Sequence, residues 1–197
     1  MGHSSCNSTP QEFSPWTSRH RGCVIATGSI LLPPGAAILP DGTATNAAPA
    51  IQRVKSSASA PAPYFLQLAF DASTEEWASF QFQMPADYAS SPVAKLHYKM
   101  ASATTGDVVW VVQIAAVSDG DSTDVDAKAF GTANSGTVTV PGTAGFLDIA
   151  SITLTNADTV AAGDFVVVRV ARDADAAGDT ATGDAELVAA AIQYTTA

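Results

Sequence analysis

Carboxylates are the chemistry-bearing side chains most concentrated in this sequence. Asp173, Asp175, Asp179 and Asp184, with Gly178 among them, match positions 1, 3, 7, 12 and 6 of a calcium-loop frame. Position 5 is Ala177, and the bidentate Glu that usually closes such a loop is missing. A second group, Asp119, Asp121, Asp124 and Asp126, is close enough in sequence to converge on a hard cation. Asp is equally at home in solvated hairpin turns. Asp173, Asp175, Asp179 and Asp184 therefore stand as calcium candidates, and no metal or other cofactor is assigned.

Adjacent carboxylates, Glu75-Glu76 or Asp173 with Asp175, are the raw material of glycoside hydrolysis. In so acidic a chain they read as solvated surface. Of the three histidines, His3 and His20 fall in the leader, and His97 sits between Lys95 and Lys99 on the wet side of a predicted strand. No nucleophile elbow, zinc-protease helix or phosphate loop occurs, so the chain is read as non-enzymatic. Trp77, Tyr88, Trp110 and Tyr194 are the aromatic rings considered for stacking on a sugar. Trp110, inside an apolar run, reads as core, and Trp77 and Tyr88 flank strands. Arg169 and Arg172, beside the acidic 173–184 stretch, read as local charge pairs.

The elements that must hold these residues are strands. Residues 64–70 are apolar with Gln67 interrupting, 80–84 and 94–100 alternate apolar with polar, and 108–117 is a nearly continuous apolar run that predicts a strand buried on both faces. Further strands are predicted at 126–130, 137–140, 148–155, 165–171 and 186–195, with Gly- and Asp-bearing turns between them. A helical turn over 74–77 has only a loose capping signal. The expected fold is all-β, a jelly-roll-like sandwich of about eight strands.

The chain has 197 residues, and Ala supplies 38 of its apolar positions, so large core side chains are scarce. Nine Lys and Arg against 19 Asp and Glu leave a net charge of −10, which argues against nucleic-acid binding. No apolar run approaches the roughly 20 residues of a membrane span. The start lacks a secretory pattern, which predicts synthesis in the cytoplasm. Cys6 and Cys23 do not make a disulfide framework.

Charge and proline divide the chain. Residues 1–60 hold two acids against four bases, six prolines and a Ser-Ala-Pro connector, and cannot bury enough apolar surface to order themselves. Residues 1–63 are therefore read as an extended arm and linker, and 64–197 as the sandwich body. Val24, Ile25, Ile30, Leu31, Leu32, Ile38 and Leu39 are the arm's apolar anchors onto a neighbour.

Leu68-Ala-Phe-Asp71 leading to Glu75-Glu-Trp77, then Phe80-Gln-Phe-Gln-Met-Pro85, resembles a segment of small all-β virion proteins of tailed phages. Gly106-Asp-Val-Val-Trp110, Phe130-Gly-Thr132, Ala162-Gly-Asp164, Arg172-Asp173 and Asp184-Ala-Glu-Leu187 are similar too, so the resemblance spans about 68–195 and leaves out the arm. It implies a jelly-roll-like virion component. Combined with the chain's size, the expectation is a capsid decoration (cement) protein on the outer shell. It would form a homo-trimer, with the arm anchored on the major capsid protein and bridging neighbouring subunits. The alternatives are a tail or fibre component and a carbohydrate-binding jelly-roll module.

Overall fold

The computed structural model describes residues 26–43 and 45–197. Among the described residues, ten strands form two antiparallel sheets facing each other across one core. β2 (Ala50–Lys55), β3 (Tyr64–Phe70), β10 (Ala185–Thr196), β5 (Tyr88–Met100) and β8 (Asp148–Thr153) lie in that order, and β1 (Thr27–Leu32) joins β10. The second sheet runs β4 (Glu76–Gln83), β9 (Phe165–Arg172), β6 (Asp107–Val117) and β7 (Asn134–Thr139). This is the expected all-β, jelly-roll-like sandwich.

Alternation builds the core. Leu68 and Phe70 from β3, Leu96, Tyr98 and Met100 from β5, and Leu187 and Ile192 from β10 meet Phe80, Trp110, Ile114 and Val168 of the facing sheet. Trp110 is the centrepiece, with Phe70 and Tyr98 edge-on to it at 5.3 and 5.5 Å between ring centres. Small inward residues, Ala78, Ala94, Ala150, Ala185 and Ala190, fill the space between these large ones. β6 is buried on both faces as its apolar run predicts, because Val109 and Val111 on its outer side pack with Ala171 beneath Trp77.

Three expectations need correction. The sandwich already includes residues from Thr27 on and does not start at Tyr64: β1 pairs with β10 from Thr27↔Thr195 to Leu32↔Ala190, and β2 pairs with β3 from Ala50↔Ala69 to Lys55↔Tyr64. The prolines that made this stretch look like an arm instead punctuate two short strands, and Pro34 starts a 3-10 turn between them. The chain from this turn to β2 also covers the free edge of β4, a position where an exposed ladder would be open to foreign strands. There Ile38 and Ser79 exchange both backbone hydrogen bonds (2.8 and 2.9 Å), and Ala47 O accepts from Trp77 N.

The second correction concerns 126–130, which is no strand. Asp124 accepts from Asp126 N and caps a single 3-10 turn at Val125–Ala127. The third is the helical turn expected at 74–77, where residues 72–74 bend and β4 has begun by Glu76.

Gly28 stands opposite Tyr194, and a Cβ there would lie 2.2 Å from its ring. The missing side chain lets Tyr194 fold across β1 and reach Asp87 with its hydroxyl (2.9 Å).

Candidate functional site: a groove at a sheet fork

β3 follows β10 only from Leu68↔Leu187 to Phe70↔Ala185. The pairing of β10 with β5 then slips at Val188, and β1 takes over β3's place beside β10 from Ala190 onward. Meanwhile β3 continues outward with β2 as its partner. The fork leaves a groove of about 590 Å³. Its walls are the Pro33-Pro34-Gly35 turn on one side and Arg53, Tyr64, Phe65 and Leu66 on the other, with Val188 at the fork itself. Gly35 lets the turn close on Leu66, since a Cβ there would sit 3.1 Å from Leu66 Cδ1.

Period-two geometry explains why these side chains are exposed. Tyr64 and Leu66 share the face of Leu68, which is fully buried, but they extend beyond the part of that face that the second sheet covers. Tyr64 is 59% exposed. The Arg53 guanidinium carbon lies 5.8 Å from the Tyr64 ring centre, a cation–π arrangement that limits where the ring can swing. Among the described residues no carboxylate lines the groove. The site they form therefore offers an aromatic surface, a phenol, guanidinium donors and stiff apolar walls, with no acid–base pair among them.

The four aromatic rings nominated from the sequence are structural. Trp110 is core. Tyr88 packs on Tyr194 at 5.5 Å. Trp77 has the Arg169 guanidinium over its ring at 5.4 Å, the Phe130 ring edge-on at 6.3 Å, and its Nε1 donating to Thr45 O at 3.1 Å. Arg169 in turn holds Glu75 and donates to Gln113 Oε1 (2.8 Å). Tyr64, one of the rings that stay open, heads a strand in the sequence, and its position directly after a Pro-rich connector is the one signal that it opens an edge.

Of the nominated carboxylates, Glu75, Glu76 and Asp179 are likewise occupied. Glu75 turns to Arg169, whereas Glu76 accepts from Asp71 N (2.7 Å), so the two do not flank a common cleft. Burial raises the pKa of Glu76, aided by the charges of Asp71 and Asp184. Asp179 forms a closed pair with Arg172, taking Nε at 3.0 Å and Nη2 at 2.7 Å, and also accepts from Val109 N. Among the described residues no three His, Cys, Asp or Glu side chains come together to hold a metal, so Asp173, Asp175, Asp179 and Asp184 do not form a calcium cage there.

The expected anchors also separate. Leu32 is in the core and Ile30 packs against it; Leu31, Ile38 and Leu39 remain exposed. Val24 and Ile25, with Cys6, Cys23, His3 and His20, lie outside the described residues.

No protein-family model matches the sequence, and the curated proteins give no match. Among solved structures, several show a partial likeness. One is a C-terminal family 6 carbohydrate-binding module of a laminarinase from Zobellia galactanivorans (13% identity, TM-score 0.40, covering 84% of this chain and 98% of that one). Another is a family 61 module in complex with β-1,4-galactotriose (15%, 0.38, 74% and 82%). A third is a family 11 module from Clostridium thermocellum (8%, 0.37, 90% and 91%).

The expectation of a capsid decoration protein held by an anchoring arm does not stand. The arm meant to lie along capsid subunits is, from Thr27 on, part of the sandwich itself, with Leu32 consumed by its own core.

Proposed function

We propose that this chain is a non-catalytic carbohydrate-binding module whose ligand lies in the groove at the fork. The observation that carries the reading is the exposed Tyr64 ring, braced by Arg53 and facing a rigid Pro-Pro-Gly wall. A pyranose has an apolar face of C–H groups and a rim of hydroxyls. An aromatic face takes the first, and guanidinium and phenol groups take the second. The groove's volume falls within the usual range for small-ligand sites. The engagement of Glu75, Glu76 and Asp179 elsewhere supports binding without hydrolysis.

One face of an aromatic side chain is about a quarter of the roughly 200 Å² such residues bury. At about 25 cal/mol per Å² it contributes ~1.2 kcal/mol. Calorimetric titration with a panel of oligosaccharides should therefore show Tyr64→Ala weakening binding about eightfold. Affinity unchanged by Tyr64→Ala would refute the site.

A further inference from the structure

Seven of the chain's Lys and Arg residues are described, and four of them, Lys99, Lys128, Arg169 and Arg172, are paired with carboxylates. Lys95 donates to Ser151 Oγ. Among the described residues that leaves Arg53 and Lys55 with neither an acid nor a hydroxyl partner, in a chain with 19 acids and a net charge of −10. The two are not scattered. They lie two residues apart on β2, on one face, with Arg53 in the wall of the groove and Lys55 directly opposite Tyr64 in register.

We propose that the groove selects acidic sugars, specifically oligosaccharides bearing a carboxylate such as a uronate. This rests on the carbohydrate-binding reading and adds the charge of the ligand. The guanidinium fork matches the planar two-oxygen carboxylate bidentately. Apolar walls beside it strengthen that pairing relative to open water. With no acid among the described lining residues, the repulsion that the rest of this surface would impose on an anion is removed. A neutral glycan would gain nothing from Lys55, whereas an acidic one lying over Tyr64 has that ammonium at its side.

The test compares tetragalacturonate, neutral galactotetraose and a sulfated galactan oligosaccharide, each titrated into the whole chain at low and high salt. The expected result is an affinity for tetragalacturonate about tenfold above that for the neutral sugar. That ratio should shrink as salt rises, and fall to about one in Arg53→Gln/Lys55→Gln. Lys95→Gln, away from the groove, keeps the ratio. Equal affinity for acidic and neutral sugars in the wild type, or a preference that survives the double substitution, overturns the acidic assignment and leaves the sugar site standing. Preference for the sulfated sugar overturns the carboxylate. Failure of all three to bind removes the sugar site and the inference together.

Discussion

Removing the Asp179 carboxylate should cost this fold more than any other change in the 173–184 loop. Arg172 is fully buried at the end of β9. Besides Asp179, its guanidinium donates to the carbonyls of Gly183 and Ala181, both at 2.8 Å, and more distantly to Phe70 O. Asp179→Ala leaves that cation in place without its counter-charge and strips Val109 N of its acceptor. Breaking one side of a buried ion pair costs about 3–5 kcal/mol. In a chain of this length each kcal/mol moves Tm by roughly 2–4 °C, so the expected fall is about 6–20 °C by calorimetry. Asp175→Ala, on an exposed part of the same loop, should stay within about 0.5 kcal/mol of wild type. Equal effects of the two, or a loss below about 1 kcal/mol for Asp179→Ala, would refute the view that this pair fastens the loop to the sandwich.

Gly28→Ala forces a methyl into the Tyr194 ring and should destabilise by about 1–3 kcal/mol. Tyr194→Ala in the same chain should relieve that clash, which urea melts of the single and double variants would reveal. Glu76 has its pKa raised by burial, so the folded state holds its proton more tightly than the unfolded chain does. The cost is present above the folded pKa and fades as pH falls toward the unfolded value near 4.5. Glu76→Gln should thus raise Tm at pH 7 and give no gain at pH 4, as measured by calorimetry across pH. Deleting residues 1–60 removes β1 and β2 and uncovers the β4 edge; circular dichroism should show no cooperative melt, and a cooperative one would mean that the two strands are dispensable.

The strands legible in the sequence are those whose alternation is uninterrupted and whose large side chains face the core, such as Ala94–Met100 and Val108–Val117. β1 and β2 were hidden because each is only six residues long, with prolines close by, and because Arg53 and Lys55 put charge on a face that elsewhere is apolar. Phe130 suggested a strand, yet it serves as a cover for Trp77 from a loop. The pairing of Arg172 with the acidic loop was readable, because a cation ending an apolar strand must find an acid nearby. Which aspartate it takes was not, since that depends on how the loop folds back seven residues later. Tyr64 could not be singled out, because its exposure arises from the divergence of β3 from β10, a property of three strands far apart in sequence.

The groove is tested most directly by mapping backbone amide shifts as a ¹⁵N-labelled chain is titrated with the tightest-binding oligosaccharide of the panel. Changes should concentrate at Gly35, Arg53, Tyr64 to Leu66 and Val188. Changes clustered instead around Trp77, Phe130 and Arg169 with the groove silent, or no changes with any sugar, would contradict a sugar site in the groove.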